Sequence, residues 1–227
     1  MKKMYCIICI LVFTISAFCS VASGANLNLV KNASATDSVI TYEVSEEEYI
    51  QGVSKLTNLP KDTIRAKLRE SLITSSEAMG SVSYGFVDGA VATVGTLHYW
   101  RTITTKNFSS GTTLFSPVEL GMWFTVYEYL SFRQINSIDA CWTGAAASGP
   151  YVWNEYVKVT YPKSFPTIAI EAHARGAVET TVNVSVSGGV ELKNALLGCG
   201  FSVTGQVGTI IYLRKVDDIS LYYRVYY

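Results

Sequence analysis

Histidine and charged residues are scarce in this chain. Of its 227 residues only two, His98 and His173, are histidines, and 16% are charged. Histidine is the side chain that titrates near neutral pH and the commonest metal ligand, so its scarcity excludes most acid–base and histidine-dependent metal chemistries. After residue 24 there is no CxxC, HxxxH or HxH spacing from which a zinc site is built. The sequence therefore predicts no metal and no cofactor.

Common catalytic motifs are also missing. The chain has no GxSxG nucleophile turn, no phosphate-binding loop and no dinucleotide fingerprint, so the usual hydrolase and nucleotide-enzyme classes are not supported. A secreted hydrolase remains a second alternative, because glycoside hydrolysis needs only two carboxylates that face each other across a groove. The carboxylates available in the middle of the chain are Glu119, Glu128, Asp139 and Glu155. Of these, Glu128 is expected to pair with Arg101 or Arg133. We predict no catalytic residue among them.

The one strongly apolar run lies at the N-terminus. Lys2 and Lys3 precede an apolar stretch over 4–18, and small residues follow it, which is typical of a secretory signal peptide. The stretch is shorter than the roughly 20 residues of a membrane-spanning helix. The small residues before position 25 predict cleavage after Gly24. We therefore expect a secreted, extracellular protein from which residues 1–24 are removed.

Neither sign of charge dominates the chain. The 18 basic residues balance 18 acidic ones, and removal of the leader with its two lysines leaves a net charge of −2. A surface that binds nucleic acid needs a basic patch from which counterions are released. Here the Lys and Arg residues are scattered among acidic ones. The sequence therefore predicts no nucleic-acid partner.

Two cysteines follow the leader, which itself contains three. These two are Cys141 and Cys199, and an even pair in an oxidising compartment predicts a disulfide. The bridge would close a loop of roughly 60 residues, for which the chain-entropy estimate of stabilisation is about 4 kcal/mol. Two separate buried thiols are the alternative.

The pattern changes near residue 45 from a polar segment to a helical one. Residues 25–44 are rich in Asn, Ser and Thr and are expected to form a flexible lead-in. Ser45 and Glu48 form a capping box, and the apolar spacing after them predicts a helix over 46–57. A second helix is expected after the break at 58–60. Residues 45–75 should therefore form a helical hairpin that covers one edge or end of the sheet.

From about residue 80 onward, apolar and polar residues alternate with period two and glycines separate the runs. The segment 190–197 is ambiguous between strand and helix. The predicted strands are 81–87, 90–104, 122–134, 153–161, 167–174, 178–187, 201–213 and 219–226. About eight strands with short connections predict a mainly β protein, with an antiparallel β-sandwich domain over 80–227.

The longest alternating run, 178–213, is almost free of charge and rich in Val, Ser and Thr. The lengths of its two predicted strands, 178–187 and 201–213, are close to the 9–11 residues that a β-strand needs to span the roughly 30 Å hydrocarbon core of a bilayer. In pattern, and over this segment only, the run resembles the insertion hairpins of aerolysin-type pore-forming toxins. The resemblance implies a membrane-acting, pore-forming protein as the alternative function.

Aromatic residues are concentrated between positions 123 and 165. Exposed rings stack on sugars and anchor protein interfaces, so this region is expected to carry a recognition surface. The predicted binding residues are Trp142, Tyr151, Trp153 and Tyr156, the first three on loops. The sequence thus favours a non-catalytic binding module whose partner is a glycan or a protein.

Overall fold

Eight antiparallel strands form two packed sheets, which confirms the predicted β-sandwich. The structure, a computed structural model, describes residues 38–78 and 95–226. The elements are β1 (Ser38–Val44), α1 (Glu46–Thr57), α2 (Lys61–Ala78), β2 (Thr96–Asn107), β3 (Pro117–Tyr129), β4 (Phe132–Ala145), β5 (Tyr151–Tyr161), β6 (Ala169–Asn183), α3 (Gly189–Gly198), β7 (Ser202–Val207) and β8 (Ile210–Arg224). Sheet A has the order β1-β2-β3-β4, and sheet B has the order β5-β6-β8-β7. The predicted signal peptide over 1–24 and the predicted strand over 81–87 lie outside the described residues.

The predicted strand 122–134 is in fact the end of β3 and the start of β4. The chain reverses at Leu130, whose φ of 54° is the left-handed conformation that Gly and Asn usually adopt. Because leucine is not a turn residue, the sequence carries no signal of this hairpin. The two halves then pair with each other, with Tyr129 opposite Phe132.

The strands of sheet B are also divided differently from the prediction. The single strand β6 includes most of the two predicted strands 167–174 and 178–187. The predicted strand 201–213 is divided at Gly208, whose φ is 57°, into β7 and the beginning of β8. Strand β8 lies between β6 and β7. Of the predicted strand 201–213, only residues 210–213 therefore pair with β6, whereas residues 202–207 pair with β8.

Two further segments form elements that the local sequence either did not predict or left ambiguous. Ser38–Val44, which we expected to be part of a flexible lead-in over 25–44, forms β1 and pairs along its whole length with β2. Its Val39 packs against the core between the sheets, so a tertiary partner orders a locally polar segment. The ambiguous segment 190–197 is helical and forms α3.

The core between the sheets has two parts. At one end, inward-facing residues of β3, β6 and β8 surround the fully buried Phe124. At the other end lies a second cluster, which we call the lower core, and α3 covers it through the buried Leu196. The buried residues of the lower core are Phe108, Val118, Tyr151, Val178, Val182, Leu196, Phe201, Ile211 and Leu213.

The helical hairpin covers the outer face of sheet A, as a third layer. Ser45 caps α1 as predicted, because its Oγ accepts a hydrogen bond of 3.2 Å from the backbone N–H of Glu48. Apolar residues of both helices pack on Trp123 of β3. Gly52 allows this close approach, since a Cβ at that position would lie 2.4 Å from the Trp123 ring. Sheet A is therefore covered on both faces.

A buried polar contact fixes α1 to the sheet. The hydroxyl of Tyr49, which is fully buried, donates a hydrogen bond to the carboxylate of Asp139 on β4. Ser137 Oγ donates to the same oxygen, Oδ2, at 2.9 Å. Burial raises the pKa of Asp139, although these two hydrogen bonds oppose the shift.

Replacing Asp139 with asparagine is expected to change how stability depends on pH. Because the folded-state pKa of Asp139 lies above the unfolded value of about 3.9, the stability contributed by its protonated form is lost as the pH rises through the folded-state pKa. Asp139→Asn cannot ionise. The free energy of unfolding of the wild type should therefore fall relative to that of the variant as the pH rises, in urea denaturation at a series of pH values. Parallel pH profiles for the two proteins would contradict this assignment.

Candidate functional site

Trp142 is a strand residue of β4 and lies on the outer face of sheet A, instead of on a loop as predicted. Its indole Nε1–H donates a hydrogen bond of 2.8 Å to Glu119 Oε1. The Arg101 guanidinium carbon lies 5.2 Å from the Trp142 ring centroid, and the Trp123 ring lies 6.1 Å away on a tilted plane. These contacts make Trp142 a half-buried part of the packing beside the helical hairpin.

Tyr151 and Trp153 belong to the lower core and are also strand residues. Tyr151 is 7% exposed, and its hydroxyl lies 2.7 Å from the carbonyl oxygen of Pro117. Trp153 is half-buried, and its Nε1–H donates a hydrogen bond of 2.9 Å to Thr143 Oγ1. Its ring meets Phe108 edge-on at 5.4 Å. Both side chains have structural contacts that leave little surface for a ligand.

Tyr156 is the predicted binding residue that the structure places in solvent. Its side chain is 48% exposed, and it lies at a break in the register of β5 between Glu155 and Val157. The guanidinium carbon of Arg214, on β8, lies 5.4 Å from the Tyr156 ring centroid. Arg214 Nε is also 3.5 Å from Glu179 Oε1 on β6. An aromatic ring, a cation and a carboxylate therefore meet on the outer face of sheet B.

This outer face carries many large apolar side chains for a solvent-exposed sheet. Polar and charged contacts are interspersed among them, including His173–Glu171 at 3.2 Å and Arg175–Asp218 at 3.9 Å. The exposed apolar and aromatic residues of these strands include Val152, Tyr156, Val157, Tyr161, Tyr212, Val216 and Tyr222. Such a mixture of rings, aliphatic groups and charges is typical of a recognition surface.

A groove of about 480 Å³ opens on this face beside Arg214. Its walls come from all four strands of sheet B and from the turn before β5. The side chains that line it from the outer face are Val152, Glu179, Thr181, Thr204, Tyr212 and Arg214. Tyr151 and Leu213 lie beneath it. The groove offers a carboxylate, a guanidinium, two hydroxyls and an aromatic ring within one open depression.

The predicted disulfide between Cys141 and Cys199 is not formed, and both residues are free thiols. Cys141 packs at the edge of the cluster around Phe124, where burial raises the pKa of its thiol to about 11. Cys199 follows α3, belongs to the lower core, and its Sγ donates a hydrogen bond of 3.0 Å to the Ser110 carbonyl oxygen. The two thiols thus belong to different core clusters, which chain spacing alone does not reveal.

The acidic residues considered for catalysis are each bound to other protein groups. Glu128 pairs with Arg133 at 2.9 Å, which confirms one of the two predicted partners, and it lies 3.6 Å from His98. His98 Nδ1 is 2.6 Å from Glu43 Oε1. Glu119 accepts from Trp142, Asp139 accepts from Tyr49, and Glu155 pairs with Lys158. Within the described residues these contacts give each carboxylate a structural role.

Residues 38–78 and 95–226 include no group of three or more His, Cys, Asp or Glu side chains that could hold a metal ion. None of the helices in those two ranges is long and apolar enough to cross a membrane.

Sequence reasoning missed most of the groove, although the signal was present. Glu179 and Thr181 alternate with buried Val178 and Val182 on β6. The same alternation places Tyr212 and Arg214 on the outer face of β8, but only the strand order brings the two rows together. No protein-family model, curated protein or solved structure matches the chain.

Proposed function

We propose that this protein is an exported, non-catalytic carbohydrate-binding module, and that the groove beside Arg214 is its binding site. The proposal depends on one observation: the Arg214–Glu179 pair lies in an open groove, next to the rings of Tyr156 and Tyr212. Planar charged groups bind pairs of hydroxyls, and aromatic faces stack on the C–H faces of sugar rings. The secretory leader pattern over 1–24 supports a site of action outside the cell.

The shape and lining of the groove favour a sugar over a protein partner. Its volume of about 480 Å³ falls within the roughly 300–1,000 Å³ of sites that hold small molecules. The hydroxyls of Thr181 and Thr204 add donors and acceptors that a polyhydroxylated ligand can use. An interface with a folded protein would instead require a continuous surface of roughly 800 Å² on each partner.

The ring of Tyr156 is expected to contribute directly to glycan affinity. Residues 25–227 would be screened on an array of glycans, and the dissociation constant of the best ligand would be measured by calorimetry. Tyr156→Ala should weaken binding at least about tenfold, equivalent to about 1.4 kcal/mol, because the stacking surface is lost. Tyr156 is half-exposed, so the fold should persist.

Tyr222→Ala is the matched control for this measurement. Like Tyr156, Tyr222 is half-exposed on this outer face and is not itself part of the groove wall. It differs from Tyr156 in that its ring has no cation–π contact with the groove residue Arg214 among the described residues. Its replacement should leave the dissociation constant unchanged. An equal loss in both variants, or an array on which no glycan is retained, would contradict a sugar site at Arg214.

A further inference from the structure

Four connections of the sandwich lie together at one end of the molecule. They join β2 to β3 (108–116), β4 to β5 (146–150), β6 to α3 (184–188) and β7 to β8 (208–209). Strands β2, β4, β6 and β7 end there, and β3, β5 and β8 begin there, as the antiparallel registers within the two sheets show. Packing of the adjacent strand ends in the lower core confirms that the two sheets are aligned in this sense.

The four connections at this end contain no charged residue. The nearest charged groups in the described residues are Lys106 and Lys215, which lie against Phe108, and Glu191 in the first turn of α3. No Asp, Glu, Lys, Arg or His occurs in residues 107–118, 140–154, 180–190 or 194–213. These stretches are separated along the chain by segments that do contain charge, and only the fold brings them together. We call the surface that the four connections form the uncharged end. The opposite end, by contrast, carries the Glu43–His98–Glu128–Arg133 row.

Large apolar side chains project from the uncharged end into solvent. Phe115 is 61% exposed, Val186 is 59% exposed and Val207 is 66% exposed. Each comes from a different connection or strand end, so this end presents three separate apolar tips. Val190 and Ile210, next to these tips, are also exposed.

Several backbone groups of these loops are hydrogen-bonded within the loops. Asn107 Oδ1 accepts hydrogen bonds from the N–H groups of Ser109 and Ser116, at 3.2 Å and 3.1 Å. Asn183 Oδ1 accepts from the N–H of Ser185 at 3.1 Å, and Gln206 Nε2 donates to the Gly208 carbonyl at 2.9 Å. Unsatisfied polar groups are what makes the transfer of a loop out of water costly.

We propose that the uncharged end inserts its apolar tips into the headgroup and acyl-chain boundary of a lipid bilayer. A bilayer is soft and accepts separate apolar tips in any arrangement, whereas a protein partner would need a matching set of pockets. The absence of charge removes the largest cost of entering this boundary, and the internal hydrogen bonds of the loops reduce the remaining cost. Aliphatic and phenyl groups supply the favourable transfer of apolar area.

The proposal can be tested by sedimentation of residues 25–227 with phosphatidylcholine vesicles. The expected result is binding that changes little between low and high salt, because no charge takes part. Val207→Lys should lower the partition coefficient for vesicle binding at least about tenfold, because the lysine must be desolvated at the interface. The position is two-thirds exposed, and urea denaturation will verify that the variant is folded.

Val157→Lys provides the matched control, with the same substitution at a 48% exposed valine on the outer face of sheet B. It should leave vesicle binding unchanged. No binding to vesicles, or an equal loss with both lysine variants, would overturn the proposal. Analytical sedimentation without lipid tests the alternative that this end binds a second copy of the chain. A stable dimer that Val207→Lys dissociates would support that alternative and would overturn the membrane proposal.

Discussion

Tyr151→Ala should lower the free energy of unfolding by about 3–5 kcal/mol, in the range measured for buried aromatic residues. The ring belongs to the lower core, and its hydroxyl is bound to the carbonyl oxygens of Pro117 and Ala147 at 2.7 Å and 2.9 Å. The substitution would leave a cavity and remove hydrogen bonds that connect β5 to β3. Urea denaturation followed by tyrosine and tryptophan fluorescence would measure the change.

Tyr156→Ala is the natural comparison, because both tyrosines were predicted to bind a ligand. Its half-exposed ring contacts Arg214 on the surface, so its removal should cost less than about 1 kcal/mol of stability. A Tyr151 variant as stable as the wild type would show that this side chain is not part of the core. The comparison also shows why Tyr151 and Trp153 are poor probes of binding, since lost affinity in those variants would reflect lost structure.

Gly176→Ala should destabilise the protein by about 1–3 kcal/mol through overpacking. A Cβ at this position in β6 would lie 2.4 Å from the Trp153 ring and 2.5 Å from the Asn154 carbonyl oxygen. The backbone oxygen cannot move away without disturbing the β5–β6 ladder, and the ring is held by its hydrogen bond to Thr143. The measurement is the shift in urea midpoint at constant slope.

Gly144→Ala controls for the general effect of replacing a strand glycine. A Cβ there meets nothing within 4 Å, so we expect no loss and a gain of up to about 1 kcal/mol from the smaller entropy of the unfolded chain. If both variants lose the same stability, the close contact between Gly176 and Trp153 is not the cause.

Local sequence patterns were sufficient to predict an element where one side of the segment faces solvent and the other side faces the core. The capping box at Ser45 and the apolar spacing after it predicted α1 with the bounds that the structure shows. Alternation predicted eight strands and the sandwich, because a strand with one buried face must alternate. These features depend on neighbouring residues and on the contrast between water and core.

Strand limits were less predictable, because they depend on partners distant in sequence. Leu130 turns the chain without a turn residue, and Ser38–Val44 becomes a strand because β2 offers an edge with which it pairs. Similarly, Trp142 lies in a composition that suggests a loop, yet it extends the β3–β4 ladder. In each case a tertiary contact outweighs a weak local preference.

Local sequence patterns specify the class of fold, the helical hairpin and the lack of charged residues in the segments that form one end. Which of these segments meet depends on the tertiary packing. It separated Cys141 from Cys199, buried Tyr151, and brought Arg214 and Glu179 together beside Tyr156. The physical reason is that periodicity reports which face of a strand is buried, whereas the order and register of the strands arise from packing between residues far apart in the chain.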